Sequence, residues 1–116
     1  PHEKLSEKLS KEKESAVVRG KVARAREIQR NRFRGHKNGI STNSEMGVRD
    51  LEQYLNIEKG VQDLLNQSAK KLDLSARSYH RTLKLARTIA DLAGSEKIES
   101  PHLLEALQYR PKKVGV

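Results

Sequence analysis

Between Ser75 and Gly94 the apolar residues Tyr79, Leu83, Ala86, Ala90 and Ala93 follow one another at spacings of four, three, four and three. That rhythm fits an α-helix of about 3.6 residues per turn and excludes a strand, whose side chains alternate with a period of two. Ser75 is a good N-cap and Gly94 a good terminator. Leu85, Ile89 and Leu92 widen the apolar stripe, so this helix is expected to be wrapped by neighbours. No segment of the chain alternates with period two, and the fold expected is all-α.

The remaining segments read the same way. Val18, Val22, Ala25, Ile28, Gln29 and Phe33 mark a helix from about Ser15 to Phe33, stopped at Gly35. Residues 35–43 hold two Gly and two Asn and read as an open connection. Met46, Leu51, Tyr54 and Leu55 predict a short helix capped by Ser44, and Val61, Leu64, Leu65, Ala69 and Leu72 the apolar face of a third. A last helix has Ser100 as cap, Pro101 at its first position and Leu103, Leu104 and Leu107 on one face, with Pro111 as its stop. Residues 1–15 carry four Lys, four Glu and only Leu5 and Leu9 as strong apolar side chains, and read as a disordered linker. The organisation expected is therefore a linker over 1–15, a small bundle of four to five helices over 16–110, and a tail over 111–116.

What the chain lacks narrows its function. It has no Cys, so a thiolate zinc site, a cysteine nucleophile and a disulfide scaffold are all excluded. There is no apolar run of about 20 residues to span a bilayer and no signal peptide, so no membrane partner is expected, and the cytoplasm is the expected compartment. The chain opens on Pro1 and its one Met is Met46, which reads as a piece of a longer protein. No phosphate loop, zinc-protease helix, nucleophile elbow or EF-hand loop occurs. His2, His36, His80 and His102 lack metal-ligand spacing and read as solvated or edge-packed rings, so no metal site is expected. Asp50, Glu52, Glu96 and Glu99 read as ordinary helix-end charges. A self-contained enzyme is not expected, and no catalytic residue is assigned to the chain in isolation.

The basic residues carry the functional signal. Lys and Arg number 24 against 15 Asp and Glu, net +9, and residues 16–40 hold eight of them against Glu27 alone. Arg19, Arg24, Arg26, Arg30 and Arg32 are candidate DNA contacts on a phosphate-tracking face that spans residues 19–37, equally readable as a solvated surface. Such binding would be electrostatic and steep in salt, since Phe33 is the one aromatic nearby for stacking. Arg77, Arg81 and Lys84 fall at i, i+4 and i+7 on one side of the helix that begins after Ser75. Arg77 lies in its first turn, where free N–H groups favour an anion and a guanidinium clamps phosphate oxygens. Periodicity alone leaves a phosphate-binding face and a merely solvated one both open.

The run LSARSYHRTLKLARTIADLAGSEKIESPHLLEALQYR (Leu74 to Arg110) resembles the C-terminal domain of magnesium-chelatase-like AAA+ ATPases of the ComM/YifB type. The resemblance extends back through VRGKVARAREIQRNRF (Val18 to Phe33), Asn43 to Met46 and LEQYLNIEKGVQDLL (Leu51 to Leu65). It implies a helical lid that follows an N-terminal nucleotide-binding core, with ATP and Mg²⁺ in the full-length protein and none bound by this piece alone. The Arg of the Leu-Ser-Ala-Arg block matches the family's sensor-2 arginine, so Arg77 takes that role by resemblance; Arg81 and Arg87 inherit a weaker one, as contacts behind the nucleotide site or with a neighbouring subunit. The parent is implied to be a ring-forming ATP hydrolase, expected as a homo-hexamer, working in DNA branch migration and recombination rather than in metal insertion. Asp73 stands where the family commonly has Gly. The alternative is a stand-alone basic DNA-binding module acting through the 19–37 face, and a third reading is a purely structural docking domain.

Overall fold

The computed structural model describes residues 2–109, which form five α-helices and one short 3-10 turn. They are α1 (His2–Arg32), the turn Asn43–Glu45, α2 (Val48–Tyr54), α3 (Lys59–Lys71), α4 (Ala76–Leu92) and α5 (Ser100–Gln108). No strand occurs among the described residues; one parallel backbone bridge ties Ile57 to Ile98. The all-α bundle expected from the periodicity is what forms. The Pro111 stop and the tail 111–116 lie outside the described residues.

Helix α4 is the centre of the bundle and packs against α1, α2, α5 and the 3-10 turn. Its two small core residues, Ala86 and Ala90, are fully buried, which lets neighbouring backbones come close. Around them sit Phe33, Met46, Leu51, Leu65, Leu83, Ile98, Leu103 and Leu107. Each of the large side chains contributes about 1.5–3 kcal/mol on leaving water. Of the stripe predicted on α4, Tyr79, Leu83, Ala86 and Ala90, with Leu85 and Ile89 beside them, face the core, whereas Leu92 and Ala93 at the helix end are exposed.

Helix α1 departs from its predicted start. It begins at His2 rather than near Ser15, so the residues read as a disordered linker are helical. The reason is local: no Gly or Pro interrupts residues 2–19, Lys and Glu are good helix formers, and Glu7 with Lys11 and Lys8 with Glu12 are four apart. Of the expected stripe, Ala25, Gln29 and Phe33 are buried, whereas Val18 is 57% exposed and Ile28 38%. Val18 lies beyond the end of the bundle and Ile28 on another side of the helix. Residues 2–21 are exposed throughout, a polar surface on all sides.

Two caps also differ by a few residues. Ser44 sits in the 3-10 turn, and α2 is instead capped at Gly47, whose N–H donates to Asp50 Oδ2 at 2.9 Å. Helix α5 is capped at Glu99, whose N–H donates to His102 Nδ1 at 3.0 Å, with Pro101 in the second position. Helix α3 ends in a Schellman motif: Leu74 N–H donates to Ala69 O at 2.9 Å, and Asp73 takes a φ of +52°. Helix α4 ends likewise at Gly94, with a φ of +73° and Ser95 N–H donating to Ala90 O at 2.8 Å.

Candidate functional site

The C-terminal half of α4 is held by a buried polar network. Asp91, 2% exposed, accepts two bonds from the Arg32 guanidinium, at 2.8 and 2.6 Å, and stands 3.1 Å from Arg87 Nη2 one turn earlier on its own helix. Asn43 completes the ring: its Nδ2 donates to Asp91 Oδ2 at 2.8 Å and to Thr88 Oγ1 at 3.1 Å, while its Oδ1 accepts from Arg32 Nη1 at 2.8 Å. Gln29 Oε1 accepts the Asn43 N–H at 2.9 Å. Arg87, 1% exposed, also donates to the carbonyls of Leu55, Glu96 and Ser95 at 3.2, 2.8 and 2.7 Å. Burial pulls the Arg87 guanidinium below its ordinary range and Asp91 pulls it back up, so the side chain stays charged.

This corrects two expectations. Arg32 is not on the exposed basic face as a DNA contact, because both its terminal nitrogens are committed to Asp91. Arg87 lies inside the fold, where it ties α4 to the segment before α5 and offers no surface to a neighbouring subunit. Sequence reasoning missed Asp91 and Asn43. The available signal was that Asp91 is the one acid among residues 74–94, four residues after Arg87.

The other cations are at the surface. Arg77 is exposed in the first turn of α4, beside the Ser75 hydroxyl that accepts the Ser78 N–H at 3.1 Å. Among the described residues no carboxylate lies within ion-pair distance of Arg77, Arg81 or Lys84. On α1, Arg19, Arg24, Arg26 and Arg30 are all exposed, and among the described residues only Arg30 has an acidic partner, Glu27 at 3.5 Å. That exposed pair contributes little. Arg19, Arg26 and Arg30 fall at i, i+7 and i+11 and share a face, which Arg24 does not.

Two further features flank α4. A cleft of about 650 Å³ opens between α2 and α4 over Leu51, Leu55, Ile57, Tyr79, His80 and Leu83. The Tyr79 hydroxyl is held at its edge, donating to Asn66 Oδ1 and accepting from Gln62 Nε2, both at 2.8 Å. Nearer α1, His36 is edge-packed, as expected, with its ring 6.2 Å from Phe33 and 6.1 Å from Tyr54. Its Nδ1 accepts the Asn38 N–H at 3.0 Å, so its Nε2–H donates to Asp50 Oδ1 at 2.7 Å. Asp50 is therefore no ordinary helix-end charge: the bond from His36, then that from the Gly47 N–H, hold its carboxyl below the usual carboxylate range. No group of three His, Asp or Glu side chains is placed to hold a metal ion among the described residues. Nor is any helix there long and apolar enough to cross a membrane.

The fold and its surface define a small helical domain rich in exposed cations, with its central helix pinned at one end and, at the other, an arginine without an acidic partner among the described residues. Residues 12–110 match the family described as magnesium chelatase, subunit ChlI C-terminal, and the chain belongs to that family. It is 42% identical over 96 residues to the competence protein ComM of Haemophilus influenzae, a match that covers 83% of this chain and 18% of that protein. It is 35% identical over 106 residues to the YifB protein of Salmonella typhimurium and 34% identical to that of Escherichia coli, each match covering 91% of this chain and 20% of the relative. The chain thus spans about a fifth of the length of the relatives it matches.

Proposed function

We propose that this domain is the helical lid of a magnesium-chelatase-like AAA+ ATPase and that Arg77 is its sensor-2 arginine. The observation that carries the proposal is the position of Arg77: exposed, without an acidic partner among the described residues, and in the first turn of a 17-residue helix. Free N–H groups and the helix dipole favour an anion there, and the guanidinium adds two parallel donors for phosphate oxygens. These groups fit the phosphate end of ATP. The Mg²⁺ and the water-activating groups would come from the N-terminal core of the same chain. Bound ATP supplies the phosphoanhydride whose hydrolysis powers the motor. Arg77 would orient and neutralise its terminal phosphate, and the Arg32–Asp91–Arg87 network keeps α4 fixed to α1, so any shift at the phosphate moves the lid as a body.

In the parent this lid would serve a ring, taken as a homo-hexamer, acting on DNA in branch migration and recombination, in keeping with a relative named as a competence protein. The domain by itself is no enzyme on this reading and binds ATP weakly. Steady-state ATP hydrolysis by the full-length protein tests it, with Arg77→Ala and Arg77→Lys compared with wild type and circular dichroism following the helices. Arg77→Ala should lose about a hundredfold, as for removal of one transition-state donor. Unchanged turnover with intact helices overturns the assignment.

The alternative, a basic DNA-binding module, draws support from the shared exposed face of Arg19, Arg26 and Arg30. Neutralising those three should then abolish DNA affinity while ATP turnover persists. Arg77→Ala should do the reverse under the lid reading.

A further inference from the structure

A second cationic feature lies on α4 beyond Arg77. A groove of about 280 Å³ runs between the 3-10 turn and α4, lined by Ser44, Arg81, Lys84, Leu85 and Thr88. Arg81 is exposed and has no acceptor among the described residues, and the bond from Lys84 is a long one, Nζ to the Ser44 carbonyl at 3.3 Å. Among the described residues no carboxylate lines the groove. The acid next to it in sequence, Glu45, is engaged elsewhere, since its Oε1 accepts from Thr42 Oγ1 at 2.8 Å and from the Ser41 N–H at 3.4 Å. Those bonds hold the Glu45 carboxyl below the ordinary carboxylate range.

The walls are also preorganised. Thr88 Oγ1 accepts from Asn43 Nδ2 at 3.1 Å and donates to the Lys84 carbonyl at 3.1 Å, so one wall is continuous with the buried Asn43–Asp91–Arg32 network. Asn43 in turn fixes the backbone that leads into Ser44. Two cations, open to solvent and with no carboxylate among the described lining residues, form a receptor for a phosphate monoanion rather than for a metal or an apolar group.

We infer that this groove seats a backbone phosphate of nucleic acid, with Arg81 and Lys84 as its clamps. Arg81 and Lys84 lie one and two turns beyond Arg77, about 6 and 10 Å along the axis, so the site is distinct from the one proposed for ATP. The contact is to phosphate, which fixes position without reading sequence. It stands whether or not Arg77 proves to be the sensor-2 residue.

The test is fluorescence anisotropy of a labelled oligonucleotide titrated with this 116-residue chain over a range of salt. Wild type is compared with Arg81→Gln/Lys84→Gln and with the charge-preserving Arg81→Lys/Lys84→Arg, circular dichroism following the fold. The neutral pair should weaken binding tenfold or more and flatten the dependence of log K on log salt by about 1–2, while the charge-preserving pair stays within about threefold of wild type. Wild type failing to bind at low salt overturns the inference. So does a folded neutral pair that binds like wild type while Arg19→Gln/Arg26→Gln/Arg30→Gln loses affinity. If inorganic phosphate or ATP shifts the amide resonances of Ser44, Arg81 and Lys84 but the oligonucleotide leaves them in place, the groove serves a free phosphate and the nucleic-acid assignment falls.

Discussion

Asp91→Asn is the most severe single change the structure offers among isosteric ones. The carboxylate accepts from both terminal nitrogens of Arg32 and from Asn43, and it neutralises Arg87 at 3.1 Å. The amide keeps the shape but removes the charge, and its NH₂ group must then face a guanidinium that can only donate. Arg32 can recover part of its hydration, its side chain being 14% exposed; Arg87, at 1%, cannot. Removing one partner of a buried ion pair costs about 3–5 kcal/mol, and the hydrogen bonds to charged groups lost here are consistent with the upper part of that range. A domain of this size has about 5–15 kcal/mol in all, so a loss of roughly 4 kcal/mol lowers the melting temperature by some 15–30 °C. Thermal and urea unfolding followed by far-ultraviolet circular dichroism measures it. Replacing all three charges together, as Asp91→Leu/Arg32→Met/Arg87→Met, should recover only part of the loss: no charge is then left uncompensated, but the buried Asn43 amide and the carbonyls held by Arg87 lose partners. If Asp91→Asn costs less than about 1 kcal/mol, the network does not hold α1 to α4 and the reasoning fails.

Other consequences are milder. Because the folded state lowers the Asp50 pKa, this carboxylate stabilises the fold at pH values above its ordinary 3.8, and the contribution disappears as pH falls through the lowered value. Acid titration of unfolding should therefore show a shallower decline below about pH 4 in Asp50→Asn than in wild type, from a lower plateau at neutral pH. Gly94→Ala should cost about 1 kcal/mol in urea unfolding: nothing lies within 4 Å of an added Cβ, so the penalty is the backbone's at φ +73° alone.

Most of the bundle was legible in the sequence because burial there follows a simple period. Tyr79, Leu83, Ala86 and Ala90 lie on the stripe that faces the core, as do Ala25, Gln29 and Phe33 of α1. The start of α1 was not legible, since a Lys/Glu-rich run without a core face satisfies the criteria for a linker as well as those for a polar helix. At the site, Arg77 and Arg81 could be placed on one exposed face by spacing. Arg32 could not be told from them, because an arginine that solvates a surface and one that is clamped 59 residues away by Asp91 look alike in one dimension; Arg87 carried one cue, Asp91 four residues on. Long-range polar pairing leaves no periodic trace, and Asn43, read as a turn former, is fully buried for a reason that appears only when the chain is folded.

The length of α1 has a mechanical corollary. A helix of 31 residues is about 46 Å long, and only its last third is seated on the bundle. The remainder acts as a lever arm whose fulcrum is the contact of Ala25, Gln29 and Arg32 with the rest of the domain. A tilt of about 5° at that fulcrum displaces the far end by roughly 3 Å, and no Pro interrupts the helix along that length. Whatever the far end is joined to or touches is thereby geared to the orientation of α4, through one aspartate.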